Sequence, residues 1–368
     1  MHKSKTPLIL TILLLTVLLT GCTGAIPQRS WPASLVVGDT IYTAAQTFVY
    51  AVDAESGRED ADKGDTEKLR YPKEAENGTT FGNAPLLLAD TLIVSDYGSH
   101  IRMISKNLRS VEKIATDATG RFLSSPVLYN DLILVSNSDG KLYAYTKDLK
   151  LKWTFTAGDG FWTNPAIFED MIFLSSVDKT TYALKENSSG DGADVVWTKE
   201  LDGSVFFSQA IDEKGNLYIG TLNNELLSLD AKTGDVNWKV QTAGTVWSPV
   251  VVNEGRVFGG DQAGKIFSLD SSTGSLIWEY DAMSPVIGSV AIRENRLFAG
   301  TGSGDALCLS TEDKPETRLL WSKNVGGKLY STPVFTEKYA VFGVIDGDMT
   351  LAAFAFSGDT GWTFKPSK

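Results

Sequence analysis

Side chains able to do metal or acid–base chemistry are few and scattered along this sequence. It has two histidines, His2 and His100, and one histidine within a folded region cannot supply a histidine-rich zinc site or a Ser/His/Asp triad. Two acidic segments, Asp139-Gly140 and Asp346-Gly347-Asp348, resemble fragments of calcium loops. Both stand between apolar runs, where Asp-Gly predicts a hairpin turn, and a calcium loop would need further oxygens. We therefore predict no catalytic residue and no metal site.

The two cysteines predict different environments. Cys308 lies in the apolar run Ala306–Leu309 and is expected to be a small buried side chain. Cys22 follows a basic start and the apolar run Leu8–Leu19, which is shorter than the roughly 20 residues of a membrane-spanning helix. Residues 19–22, Leu-Thr-Gly-Cys, resemble the bacterial lipobox. We expect a lipoprotein signal peptide over residues 1–21, lipidation of Cys22 and a tether over residues 22–30; the alternative is an uncleaved membrane anchor.

The charge balance narrows the choice of partner. The sequence has 45 acidic and 34 basic side chains and a net charge of −11. This balance argues against a nucleic-acid partner and against broad adhesion to anionic lipid. We expect the protein to lie outside the cytoplasm in the bacterial cell envelope, attached to a membrane through its lipid anchor only. With Cys22 acylated, no disulfide is available within the chain, and packing alone must hold the fold.

One segment recurs along the chain and predicts its architecture. Leu226–Trp238, LLSLDAKTGDVNW, returns as Ile266–Trp278, IFSLDSSTGSLIW. Each copy has the pattern of a strand, a turn begun by Asp and ended by Gly, and a second strand that carries Trp. The tryptophans recur at intervals of about forty residues, at Trp153, Trp197, Trp238, Trp278, Trp321 and Trp362.

Units of that length with four short strands are typical of a propeller blade. Eight of them occupy residues 31–368 and predict an all-β, eight-bladed β-propeller of four-stranded antiparallel blades. Each recurring Trp is expected to seal one blade onto the next. The first two units lack this Trp, and Tyr71 is a candidate substitute in the first.

A second set of aromatic residues precedes the first strand of most units. If that strand lines the central channel, these residues form a ring at one mouth. The candidates are Trp31, Phe122, Trp162, Phe206, Trp247 and Tyr330. The functional interpretation is a funnel for a peptide strand, a sugar or a planar cofactor, and the alternative is packing between blades. We expect Trp31, Trp162, Trp247 and Tyr330 to be at least partly exposed on one face.

The repeat resembles the PQQ-like (quinoprotein-type) propeller repeat, whose pattern is roughly S-P-V…G-x-x-Y-A-L-D-x-x-T-G-x-x-x-W. Ser248-Pro249-Val250 followed by Ile266–Trp278 is one of the best copies. One branch of this family comprises quinoprotein sugar and alcohol dehydrogenases, which use PQQ and Ca²⁺ and typically carry an adjacent-cysteine disulfide. This sequence has no Cys-Cys pair. The other branch comprises non-catalytic lipoproteins that act with outer-membrane assembly proteins.

The lipobox, the short insertions and the acidic character favour the second branch. We expect a monomeric, non-catalytic scaffold without a cofactor that binds envelope or outer-membrane assembly proteins. The alternatives are a PQQ- and calcium-dependent dehydrogenase and a sensor for a small ligand.

Overall fold

The computed structural model describes residues 30–59 and 69–366. The predicted signal peptide, Cys22 and most of the predicted tether lie outside the described residues. Within that part of the chain, the secondary structure consists of 32 strands and one short 3₁₀ helix, Pro315–Thr317. None of the helical structure described is long and apolar enough to cross a membrane.

The strands form eight four-stranded antiparallel sheets, numbered here as blades 1–8. Blade 1 contains β1 (Ala33–Val37), β2 (Thr40–Ala45), β3 (Phe48–Asp53) and β4 (Arg70–Tyr71). Blade 2 contains β5 (Leu86–Leu88), β6 (Thr91–Ser95), β7 (Ile101–Ser105) and β8 (Val111–Ala115). Blade 3 contains β9 (Val127–Tyr129), β10 (Leu132–Ser136), β11 (Lys141–Thr146) and β12 (Leu151–Thr156). Blade 4 contains β13 (Ala166–Phe168), β14 (Met171–Ser175), β15 (Thr180–Glu186) and β16 (Ala193–Glu200).

The second half of the chain repeats this arrangement. Blade 5 contains β17 (Ala210–Ile211), β18 (Asn216–Gly220), β19 (Glu225–Asp230) and β20 (Val236–Gln241). Blade 6 contains β21 (Val251–Asn253), β22 (Arg256–Gly260), β23 (Lys265–Asp270) and β24 (Leu276–Asp281). Blade 7 contains β25 (Ala291–Arg293), β26 (Arg296–Gly300), β27 (Asp305–Ser310) and β28 (Leu319–Asn324). Blade 8 contains β29 (Val334–Phe335), β30 (Tyr339–Gly343), β31 (Leu351–Ala355) and β32 (Thr360–Phe364).

The predicted eight-bladed propeller is confirmed. The first strands of neighbouring blades approach one another, as β13 does β17 and β17 does β21, so they are the innermost strands around the axis. The fourth strand of each blade lies at the outer edge of its sheet. Buried apolar side chains form clusters between successive blades, and these clusters are the core of the molecule.

The sequence does not determine how the first and last blades join to close the ring. The structure shows that they join through side-chain packing. Blades 1 and 8 are each built from four consecutive strands and share none. Trp362 Nε1 donates a hydrogen bond to the carbonyl oxygen of Ala54 at 3.1 Å, and the rings of Tyr50 and Phe364 meet edge to face at 5.4 Å. Lys338 forms an ion pair with Glu55 across the same boundary.

The recurring tryptophans lie at the boundaries between blades. Trp238 Nε1 donates to the carbonyl oxygen of Ser271 in the next blade at 2.9 Å, and Trp197 Nε1 donates to that of Ala231 at 2.8 Å. Trp321 Nε1 makes the same contact with Phe356 at 3.1 Å. Trp153, Trp238, Trp278 and Trp362 are buried, whereas Trp197 and Trp321 are partly exposed.

The glycine that ends each repeated turn explains why Gly and Trp recur together. Gly274 has a φ of +72°, a conformation that favours glycine. A Cβ atom placed on it would also lie only 2.7 Å from Cδ2 of Trp238 in the preceding blade. Glycine at this position therefore allows the positive φ of the turn and leaves room for the indole that packs on it. Gly57 and Gly358 approach Trp362 and Trp321 in the same way.

Blades 1 and 2 replace the Trp with other side chains. Leu69 accepts the backbone hydrogen bond of Ala51 and occupies the Trp register in blade 1, so the expectation that Tyr71 substitutes for Trp is wrong by two residues. In blade 2 the Trp register holds Lys113, which pairs with Met103. Its Nζ donates to the carbonyl oxygen of Asp148 in the turn of blade 3 at 2.6 Å, as an indole N–H does elsewhere.

Candidate binding surfaces

Aromatic side chains gather at one mouth of the channel. Trp31 and Trp162 expose 38% and 44% of their surface, and Phe206, Trp247 and Tyr330 are partly exposed. Neighbouring members touch across blade boundaries. The ring centroids of Trp31 and Tyr330 are 5.6 Å apart, and those of Trp162 and Phe206 are 5.0 Å apart. Trp247 packs on Phe207, which precedes β17, at 4.4 Å. All five residues lie in segments that lead into the first strand of a blade, at one face of the ring, called here the mouth face.

Phe122 does not belong to this ring, and the expectation that it does is wrong. Its side chain is wholly buried and packs edge to face on Tyr143 at 5.9 Å. The residue in register with Trp162, four before its inner strand, is Leu123, which is partly exposed. Side chains alternate along an extended segment, so a shift of one residue exchanges the exposed and buried positions.

The ring register of the mouth face is apolar, whereas neighbouring connections on the same face carry acidic side chains such as Asp139 and Asp346. Beside the aromatic residues, the ring register holds Leu123 and Ile287, both partly exposed. Trp247 Nε1 donates to Gln262 Oε1 at 3.2 Å. The two Asp-Gly segments that resemble calcium-loop fragments lie in connections between the second and third strands of blades 3 and 8, and Asp139 accepts a hydrogen bond from the Tyr143 hydroxyl at 2.6 Å. Among the described residues, no three potential metal-ligating side chains converge.

A largely buried network of charged side chains lies in blade 2 and includes His100, the one histidine among the described residues. The Arg102 guanidinium donates to Asp96 Oδ2 at 3.1 Å and to Glu76 Oε2 at 2.9 Å. It also donates to the Tyr71 hydroxyl at 2.8 Å. Burial acts to lower the pKa of Arg102, but the Tyr71 hydrogen bond and the nearby acids hold it above its usual value. His100 Nδ1 lies 3.1 Å from Asp96.

The buried part of this network fixes the position of the Arg102 guanidinium. Asp96 is fully buried, and its carboxylate also accepts the backbone N–H groups of Gly98 and His100 at 2.8 and 3.0 Å. Every member is already paired, which suits a site that fixes the geometry of a degenerate blade. The side chains of Glu76 and His100 remain partly exposed, at 44% and 35%.

A second surface, which the sequence analysis missed, runs around the periphery. In blades 2–7 an exposed aliphatic residue lies at the start of the outermost strand, as its first residue in five blades and its third in blade 4. These six residues, called here the rim band, are Val111, Leu151, Val195, Val236, Leu276 and Leu319. The sequence signal was present: each lies two residues before the docked Trp, or before Lys113 in blade 2.

A β-bulge explains why these side chains face solvent. In blade 6, Leu276 pairs with Leu269 while Trp278 pairs with Ser268, so Ile277 has no partner in the register. The extra residue breaks the alternation of the strand. Leu276 and Ile277 are consequently both exposed, at 59% and 37%.

The bulged residue decides how apolar each rim position becomes. It is Val196 in blade 4, Ile277 in blade 6 and Leu320 in blade 7, each exposed beside a second aliphatic residue. It is polar in blades 3 and 5, at Lys152 and Asn237. Blades 6 and 7 are therefore the only adjacent pair, among the blades described, in which both the rim-band residue and the bulged residue are exposed and aliphatic.

The fold and these surfaces define a class: a PQQ-like propeller with indole-docked blades and an apolar rim. The sequence matches the family described as outer membrane protein assembly factor BamB, over residues 183–289 and 262–368. Together the two matches span just over half of the chain, and the chain belongs to this family. No curated protein sequence matches it.

Solved structures support the fold. The crystal structure of BamB from Moraxella catarrhalis is similar with a TM-score of 0.65 and 14% identity, over 77% of this chain and 88% of that chain. The computationally designed Ika8 protein is similar with a TM-score of 0.73 and 11% identity, over 90% of this chain and 98% of that one. At these identities the likeness concerns the fold alone.

Proposed function

We propose that this protein is a non-catalytic scaffold that is anchored by a lipid on Cys22 in the bacterial cell envelope and binds proteins there. Membership of the BamB family supports a scaffold role. The family's description supports partners that take part in outer-membrane protein assembly. The sequence of residues 1–22 supports the anchor and the extracytoplasmic location.

The observation that carries the proposal is the apolar rim of blades 6 and 7. β24 and β28 are the outermost strands of their sheets, so each has one edge without a neighbouring strand in its blade. Leu276 and Ile277 stand exposed on the first, and Leu319 and Leu320, each 44% exposed, stand on the second. An added partner strand would pair with the backbone edge and cover these side chains.

We further propose that no cofactor takes part. A PQQ-dependent reaction would require oxygen ligands for Ca²⁺ and a set of polar groups around a planar quinone. The ring register of the mouth face instead holds aromatic and aliphatic side chains, and the described residues bring no three metal-ligating groups together. This donor set does not fit the cofactor, which supports a binding role over a dehydrogenase.

The test is a comparison of partner capture by matched variants. The Leu276→Ser/Ile277→Ser/Leu319→Ser/Leu320→Ser variant is expected to lose an envelope protein that the native protein captures from solubilised envelopes. The control, Val236→Ser in blade 5, carries the same kind of change beside the polar bulge residue Asn237 and should retain it. Capture that is equal in all three proteins would refute docking at this rim. Reduction of an electron-accepting dye that depends on added PQQ and Ca²⁺ would refute the absence of catalysis.

A further inference from the structure

Exposed apolar side chains are distributed unequally between the two faces of the ring. Among the described residues, the large apolar side chains that are exposed outside strands are Trp31, Trp162, Leu222 and Met283. Trp162 and Met283 lie in segments that join a fourth strand to the next blade, and Trp31 lies just before β1. Leu222 lies in the turn between the second and third strands of blade 5. These segments form the mouth face. The turns of the opposite face carry no such residue in the part of the chain that the structure describes.

The chain enters the propeller at the same face. Ser30 is the first described residue, and its Oγ accepts a hydrogen bond from the backbone N–H of Gln46 at 2.6 Å. Gln46 directly follows β2 at the mouth end of that strand. Trp31 then packs on Tyr330 in the aromatic ring. The entry point is therefore central on the mouth face, beside the innermost strand of blade 1.

The length of the segment from Cys22 to Ser30 limits how the ring can face a membrane. Eight residue steps span at most about 28 Å when fully extended, and about 16 Å as a flexible coil. To reach the opposite face, the segment would cross three strand spacings, about 14 Å, and then descend a six-residue strand, about 17–20 Å. That path exceeds 30 Å before any clearance for lipid headgroups, so only the mouth face or the side of the ring can meet the membrane.

We propose that the mouth face lies against the membrane surface, with Trp31, Trp162, Leu222 and Met283 in contact with the lipid interface. The inference rests on the proposed lipid anchor on Cys22. Trp rings combine an apolar body with one polar N–H and are favoured at the headgroup level. The excess of acidic side chains gives no general attraction to anionic lipid, so the contact is suited to a zwitterionic surface.

This orientation also fits the proposed partner site. The rim band lies at the start of the outer strands, next to the turns of the opposite face. With the mouth directed to the membrane, Leu276 and Leu319 point sideways and away from the lipid. A protein partner can then reach them while the anchor and the mouth hold the ring in place.

The chain offers a simple background for testing the orientation. Cys308 is fully buried, and burial raises the pKa of its thiol to about 12, so it will not react with a maleimide dye in the folded protein. A cysteine introduced by Met283→Cys reports on the mouth face. One introduced by Ser272→Cys, in an exposed turn between β23 and β24, reports on the opposite face of the same blade.

Full-length lipoprotein, labelled at either site, is reconstituted into phosphatidylcholine vesicles that contain an acceptor-labelled lipid. The two sites differ in height by about 20 Å, roughly one strand length, and we expect energy transfer from the Met283→Cys site to be at least about twofold stronger. Equal transfer, or stronger transfer from Ser272→Cys, would overturn the orientation. An unmodified Cys22 in the mass of the mature protein would overturn both the orientation and the anchor, whereas partner capture at the rim is measured separately.

Discussion

The contact between a docked Trp and the glycine of the next blade can be isolated by one pair of substitutions. Gly274 and Gly255 both lie in blade 6, and their φ angles are nearly the same, at +72° and +74°. A Cβ atom on Gly274 would meet Trp238 Cδ2 at 2.7 Å and Cε3 at 2.8 Å, whereas one on Gly255 would meet nothing within 4 Å. Gly255→Ala is therefore a matched control for Gly274→Ala.

The two alanine variants should differ by the cost of crowding the indole. Gly255→Ala places an L side chain in the left-handed region and should reduce the free energy of unfolding by about 1–2 kcal/mol. Gly274→Ala carries the same backbone cost plus overpacking against a rigid ring, which adds about 1–3 kcal/mol. We expect a total loss of about 2–5 kcal/mol for Gly274→Ala, measured from urea unfolding followed by circular dichroism.

Removing the indole should remove most of the difference. Trp238→Ala alone should cost about 3–5 kcal/mol, as for other buried large aromatic residues. In that background the nearest atom to a Cβ on Gly274 is Val240 Cγ1, at 3.1 Å, so Gly274→Ala should cost nearly the same as Gly255→Ala. The double-mutant cycle measures the coupling directly. If the two glycine variants lose equal stability in the native background, the steric account of the repeated Gly and Trp is wrong.

Two further predictions concern charged side chains. Arg102→Met should reduce the free energy of unfolding by about 3–5 kcal/mol because it leaves the buried Asp96 carboxylate without its cation. Adding Asp96→Asn should restore part of this loss. If the urea midpoint does not recover in the double variant, the reasoning is contradicted. Hydrogen bonds from Ser303 and Asn324 hold the pKa of Asp305 below its usual 3.8. A carboxyl group whose pKa is lower in the folded state stabilises the fold at pH values above its pKa in the unfolded chain, so the stability should fall as the pH drops below about 4. Asp305→Asn should make this loss of stability with acid shallower in thermal melts at pH 3 to 6. An unchanged slope would count against the assignment.

The blades could be predicted because their sequence signals act locally. Asp270 begins a turn, Gly274 ends it and Trp278 follows in the next strand, and each step needs only its own residue type. The spacing of the six recurring tryptophans therefore gives the size of a blade, and eight units of that size occupy residues 31–368. Ring closure could not be predicted, because both ends supply four complete strands and no unpaired strand in the sequence marks a shared blade.

The errors arose where the environment of a side chain depends on a register of one residue. Phe122 was one residue out of register, and in an extended segment that shift moves a side chain from the surface to the core. The rim band was missed for a related reason. A regular strand would place Leu276 and Trp278 on one face, and only the bulge at Ile277, which depends on three-dimensional pairing, turns the aliphatic residues to solvent.

The central proposal is that blades 6 and 7 hold a protein partner in the cell envelope. Photo-crosslinking in intact cells tests it most directly, with a photoreactive amino acid at Leu276, at Leu319 or, as a rim control, at Val111 in blade 2. The account predicts one envelope protein joined to the first two positions and absent from the third. No adduct at Leu276 and Leu319, or the same adduct at all three positions, would contradict it.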